Sequence, residues 1–409
     1  MTKRTHAPIS VAAVIVAVVA LLLSGCTSSK SNWDEPGTTP GAGAPSSPKP
    51  VGDVTILPAA SSAPISPSDA VSVTASGGAT LTSVTLTAGT KSVPGSLSAD
   101  GTTWTPTGTL AYNTTYTLTV TSSAGTTTRT FSTVKPTKTV KATLAANKML
   151  ALKNGATYGV GQPIIVNFGK SIPTSQRKAV TDAITVQATP AVEGRWHWVS
   201  STEVDYRGEN YWAAHSTITV SSKLVGIALS KGVYVANNVH ATIHIGDSHV
   251  LEADNNTHQM KLYINGTLTK TIPVSMGMGG STKAQDGSLV NYWTRTGPHI
   301  VIRKDAAVTM SSASYGITDP NSPYFYAPET VKDAVRISYS GEFVHLRTWT
   351  VGDLGKRNSS HGCINVGIAY APYLYNLLIT GDIVDVTGTP VKVSFANTQA
   401  DWEIPWSQW

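Results

Sequence analysis

The chain has 409 residues, 13% of them charged, and its 30 Lys and Arg against 24 Asp and Glu give a formal charge of +6. That length accommodates about three domains. The mild positive balance, without Lys/Arg runs, excludes a nucleic-acid partner and favours anionic surroundings such as cell-wall polymers or membrane surfaces. Low charge with abundant Thr, Ser, Val and Gly predicts a mainly β protein rather than a helical bundle.

Residues 1–26 read as a secretory signal: Lys3, Arg4 and His6 precede an apolar run from Val11 to Leu23 that is short for a membrane span. The run ends in Leu23-Ser24-Gly25-Cys26, which resembles the lipobox of bacterial lipoproteins. In those proteins the cysteine is diacylated and becomes the first mature residue. The alternative is an uncleaved anchor helix, and both place the rest of the protein outside the cytoplasm on a membrane. Residues 27–52, rich in Pro, Gly and Ser, form a tether that as a coil spans roughly 25–30 Å.

Residues 53–135 carry short alternating strands such as Leu81–Leu86 and Thr115–Val120, with turns at Gly77-Gly78, Asp100-Gly101 and Asn113. This predicts an immunoglobulin-like β-sandwich, without the Cys…Trp…Cys pattern of antibody domains. Residues 139–246 predict a second one, with a short helix over 175–183. Its aromatics Trp196, Trp198, Tyr206, Tyr211 and Trp212 sit in strand-like runs and are read as packing. His240 and His244 share a strand face but lack a third ligand nearby. From residue 248 to 388 a third domain begins with a hairpin around Asn265-Gly266. The pattern continues with a glycine-rich stretch at 275–280 and a long loop region over 308–315 and 318–329, of the kind that often serves as a lid. A strand over 335–347, a helix over 367–378 and a closing strand at 382–386 complete it. The segment 389–409, with Trp402, Trp406 and Trp409, is expected to dock on a neighbouring domain.

The chemistry concentrates in Ser359-Ser360-His361-Gly362-Cys363-Ile364-Asn365, which holds one of only two cysteines. A thiol can attack a carbonyl, Gly362 lets backbone approach the substrate, and nearby N–H groups can hold an oxyanion. The thiol needs a base, and His345, sixteen positions before His361, is the candidate. Alternation along 341–347 puts Gly341, Phe343, His345 and Arg347 on one face and Glu342, Val344 and Leu346 on the other. Three readings stand at this point: a Cys–His nucleophile pair, a zinc site made of His345, His361 and Cys363, and inert core residues.

Ser360-His361-Gly362-Cys363-Ile364-Asn365, with Ser340-Gly341-x-Phe343-Val344-His345 upstream and Gly381-Asp382-Ile383-Val384 downstream, resembles the catalytic motif of the L,D-transpeptidases, the YkuD-type domain. With the lipobox, two sandwiches and Trp-rich segment, the chain is similar to the multidomain lipoprotein members. The resemblance implies Cys363 as nucleophile and His345 as its activating base, held by the carbonyl of Leu346, where relatives often have Ser. It implies substrate or oxyanion contacts at Ser340, Gly341, His361, Gly362 and Asn365, and at Tyr326 in the lid. Lys283 stands where relatives often have Pro. A Cys–His pair of this kind is expected to be stored as thiolate and imidazolium. The implied reaction joins peptidoglycan stem peptides by 3→3 cross-links through a Cys thioester, releasing D-alanine, with no metal or organic cofactor. Carbapenem-type β-lactams would be covalent inhibitors. Two rivals remain: an L,D-carboxypeptidase using water on the same site, and a non-catalytic wall-binding lipoprotein.

Overall fold

The computed structural model describes residues 52–409; the signal segment 1–26 with Cys26, and all but the last residue of the tether 27–52, lie outside the described residues. The described chain is mainly strand, with two α-helices, Thr174–Asp182 and Ala371–Leu377.

The first sandwich pairs one four-stranded sheet (Val54–Leu57, Ser72–Ala75, Thr103–Pro106, Gly95–Leu97) with another (Lys91–Val93, Leu81–Ala88, Thr115–Ser122, Gly125–Ser132). Strict alternation along Thr115–Ser122 sends Tyr116, Leu118 and Val120 inward and threonines outward. With Val73, Leu86, Trp104 and Phe131 they form a core of their own.

The second sandwich packs a five-stranded sheet around Thr143–Asn147, Ile164–Asn167 and Glu203–Gly208 against a four-stranded sheet around Ile184–Thr189, Thr217–Ser222 and His240–Ile245. Its core is not closed: Ile300 and Ile383 of the third region belong to the same cluster. The aromatics do pack, with Phe168 stacked on Trp198 at 5.9 Å and Trp196 against Tyr206 at 5.1 Å.

The third region is a nine-stranded mixed sheet in the order Gly297–Ile300, Ile383–Thr387, His249–Asp254, Gln259–Ile264, Thr267–Ser275, Ile364–Val366, Phe343–Leu346, Glu329–Arg336, Arg303–Met310. The Asn265-Gly266 turn has φ of 50° and 79°, the type I′ geometry read from the sequence. Three expectations are corrected. The strand expected over 335–347 is two antiparallel strands, Glu329–Arg336 and Phe343–Leu346, because the chain reverses at Tyr339-Ser340. The helix expected from Gly367 starts at Ala371, with Pro372 in its first turn, where a missing N–H costs nothing. Val308–Met310 is strand, so the lid is the loop from Met310 to Glu329 at the end of a hairpin.

The segment after the sheet crosses to the second sandwich. Trp402 Nε1 donates to Gly161 O and Trp409 Nε1 to Arg195 O, both at 2.8 Å. The Arg207 guanidinium lies 4.7 Å from the Trp402 ring and 4.3 Å from the Trp409 ring. Gln399 Nε2 donates to Asp205 and Asp401, two fully buried carboxyls whose Oδ1 atoms have no other partner. Burial raises both pKa values; the Asp401 charge adds to the rise of Asp205, while hydrogen bonds with Asp205 and Gln399 oppose that of Asp401, which still reaches about 6.

Candidate active site

The strand Ile364–Val366 runs parallel to Phe343–Leu346, with His345 opposite Asn365. Alternation sends Val344, Leu346, Ile364 and Val366 into the main core beneath the sheet, against Leu374 and Leu378. Phe343, His345, Cys363 and Asn365 are left sharing the other face, and Cys363 packs with Phe343, Val331 and Ala334. His345 and Cys363 are thus diagonal neighbours on adjacent strands, a position from which long side chains reach each other.

The cysteine is presented by a turn built on Ser360. Ser360 Oγ donates to Cys363 O at 2.6 Å and accepts from Gly362 N at 3.1 Å. Gly362 takes φ of +130°, a conformation side chains resist, so the motif glycine is required by the turn itself. The glycine-rich stretch is a rail for this turn: Ser360 N donates to Met276 O at 3.0 Å and Met278 N to Ser360 O at 2.8 Å. Thr294, which sequence reasoning passed over, ties the two together by accepting from Gly277 N and donating to Gly362 O, each at 2.9 Å. No local pattern marks Thr294, since its partners are 17 and 68 residues away.

His345 is 4% exposed, and its Nδ1–H donates to Leu346 O at 2.9 Å. That assigns the tautomer and leaves Nε2 as the free, basic nitrogen. Any residue at 346 supplies the carbonyl, so Leu in place of Ser is accommodated. Desolvation pushes the imidazole down to about 4, against the opposing pull of the Leu346 carbonyl. Burial pushes the Cys363 thiol up to about 12; the Phe343 amide and Arg336 oppose this, and the Glu342 and Glu329 charges reinforce it. Sγ–H donates to Gly341 O at 3.7 Å. Burial thus works against the stored ion pair expected from the sequence. Both shifts favour neutral thiol and neutral imidazole, with desolvation as the largest cause of each.

Cys363 opens on a cleft of about 670 Å³ whose walls include Trp293, Tyr326, Ser340, Gly341, His361 and Gly362. His345 and Asn365 lie behind that wall, and Asn365, expected to touch substrate, is 3% exposed beside His345. The ring of His361 sits 4.8 Å from Tyr326, 5.5 Å from Tyr292 and 6.5 Å from Tyr315. Its Nε2 is buried without a partner, and burial keeps the ring neutral. The lid is fastened by Ser312, whose Oγ donates to Ile317 O at 2.8 Å and accepts from Tyr326 N at 3.1 Å. Glu342, placed with Val344 and Leu346 by strict alternation, is instead on the cleft wall, because it belongs to the reversal and not the strand. It accepts from Arg295 N at 3.1 Å and pairs with Arg295 Nη1 at 3.4 Å. Lys283 lies in a small hairpin, Ser281–Lys283 with Leu289–Asn291, whose turn forms without the proline of relatives.

Known proteins resemble this chain over most of its length. Residues 248–393 match the L,D-transpeptidase catalytic domain, and residues 62–228 match a bacterial Ig domain, a stretch that runs across both sandwiches. L,D-transpeptidase 2 of Mycobacterium tuberculosis is 34% identical over 344 residues, 83% of this chain and 79% of that one. L,D-transpeptidase 5 of the same species is 31% identical, with 88% and 77% covered. A solved structure of the L,D-transpeptidase LdtMt1 in complex with imipenem is 26% identical over 60% of this chain and 99% of that chain, with a TM-score of 0.48. The chain belongs to the L,D-transpeptidase family, with Ig-like β-sandwich structure preceding its catalytic domain.

Proposed function

We propose that the protein forms 3→3 cross-links between peptidoglycan stem peptides through a Cys363 thioester. The observation that carries this reading is the tautomer of His345, whose Nδ1–H is committed to Leu346 O so that a neutral Nε2 is available on the face shared with Cys363. Donor binding brings the carbonyl of the third stem residue, a diamino acid, to the sulfur. The thiol proton passes to Nε2 as the C–S bond forms. Gly362 N–H is already used by Ser360, so the oxyanion would be held by another donor such as the Cys363 N–H. Collapse of the intermediate breaks the C–N bond, and the imidazolium returns its proton to the leaving D-alanine amine. An amine from a neighbouring stem then attacks the thioester, with His345 taking its proton and returning it to the sulfur. The tyrosines over the cleft keep water from that thioester, which favours transfer over hydrolysis. No metal or organic cofactor enters these steps.

On the same reading a carbapenem acylates Cys363, since its strained ring opens under the same attack. Cys26 carries the lipid, and the tether lets the enzyme reach the wall from the outer face of the membrane.

The test is incubation with a disaccharide-tetrapeptide followed by mass spectrometry. Cross-linked dimer with loss of D-alanine is expected; tripeptide alone means a carboxypeptidase. Cys363→Ala should abolish turnover and carbapenem acylation. His345→Gln should slow acylation by about two to four orders of magnitude, the scale for losing a general base. Cys26→Ala should move the protein out of the detergent phase.

A further inference from the structure

Arg336 stands on the cleft wall with Cys363, at the end of the strand Glu329–Arg336 and opposite Phe343. Its guanidinium lies 4.4 Å from the Phe343 ring centre, and Nη1 donates to Ser338 O at 3.1 Å. Those two contacts fix the plane of the fork. Nε is buried and has no partner. The nearby carboxylates are engaged elsewhere: Asp305 with Arg303 Nε at 3.1 Å, and Glu342 with Arg295 Nη1 at 3.4 Å. Among the described residues, Arg336 makes no ion pair within 4.0 Å. A half-buried guanidinium with unused donors is costly unless an anion completes it, and its fork matches a carboxylate in two parallel hydrogen bonds.

We propose that Arg336 binds a carboxylate of the donor stem peptide beside the scissile bond, a specificity contact that rests on the transpeptidase reading above. Two carboxylates of the donor meet that chemistry: the terminal one on the leaving D-alanine, and the free one on the side chain of the diamino acid. Either would orient the carbonyl over the sulfur.

The test separates this from the reaction itself. In the full chain carrying Cys363→Ser, calorimetry measures binding of three disaccharide-tetrapeptides: the free acid, the C-terminal carboxamide, and the form amidated on the diamino acid. One of the two amides should bind about tenfold more weakly than the acid, which identifies the carboxylate. Adding Arg336→Gln should weaken the acid about tenfold and leave that amide unchanged, with Arg336→Lys between. Melting temperatures of all variants are compared, and the Lys variant stands in if Gln unfolds. Equal losses on all three peptides, or no loss on any, would overturn the proposal. Dimer formation by the parent alongside such a result leaves the transpeptidase reading standing, whereas neither binding nor turnover of any peptide removes both.

Discussion

The two sandwiches share an architecture but join their neighbours in opposite ways. The first closes its own core and touches the second through a few polar contacts. Tyr112 hydroxyl donates to Val235 O and accepts from Gly226 N, each at 2.7 Å, and Ser66 Oγ donates to Gly226 O at 2.6 Å. The second leaves its core open and completes it with Ile300 and Ile383 of the catalytic sheet. There the backbones themselves meet: Gly159 N donates to Thr380 O at 2.9 Å and Gly161 N to Gly381 O at 2.8 Å. A Cβ on Gly159 would run into Asp382, so the approach depends on glycine. A hydrogen-bonded seam between finished cores is a hinge or spacer joint, while a shared core makes two modules one folding unit.

Deletions probe the contrast most strongly. Removing 139–246, or the segment from Asp401, should leave no soluble, folded catalytic sheet, whereas removing 53–135 should keep the carbapenem acylation rate within about twofold. A soluble, fully active 248–388 fragment would break the comparison. Next, Trp402→Ala should cost about 3 kcal/mol of unfolding free energy in denaturant titration, the low end for a large aromatic, because the ring is only half-buried. Gly159→Ala should cost about 1–3 kcal/mol by overpacking the seam.

The buried carboxyl pair gives the shared seam a pH dependence that the first seam lacks. Both folded pKa values are raised above those of the unfolded chain, so the protonated form is favoured in the native state. Stability is then full below the unfolded value near 4 and lost as pH rises through about 6, where Asp401 titrates. Asp205→Asn removes one of the two like charges and should flatten that decline, read as melting temperature between pH 4 and 8. An unchanged slope would place the titration elsewhere. The smallest effect belongs to the first seam: Tyr112→Phe should cost about 1 kcal/mol and leave acylation unaltered.

Much of this is legible in the sequence because it is local. Ser360, Gly362 and Cys363 specify their turn within four residues, and three tryptophans in eight positions announce docking. Strands such as Thr115–Ser122 and Thr217–Ser222 follow from alternation. Other features depend on which distant strands become neighbours. The reversal at Tyr339-Ser340 is what moves Glu342 and Arg336 onto the cleft wall, and a continuous alternation hides it. Thr294 matters only once the rail and the cysteine turn lie beside each other. The burial that works against an ion pair between His345 and Cys363 is likewise invisible in residue types alone.

The segment 397–409 also bears on how the protein is made. Asn397 O accepts from Tyr339 N at 2.6 Å and from Ser340 N at 3.4 Å, and Gln399 accepts from the Tyr339 hydroxyl at 2.9 Å. The loop that carries Ser340 and Gly341 is therefore held by residues synthesised after every strand of the sheet. As a chain folds from its N-terminal side, the first sandwich takes shape early, and this loop is fixed last. Residues 397–399 thus complete the Tyr339-Ser340 loop only after the sheet that carries Cys363 has been made.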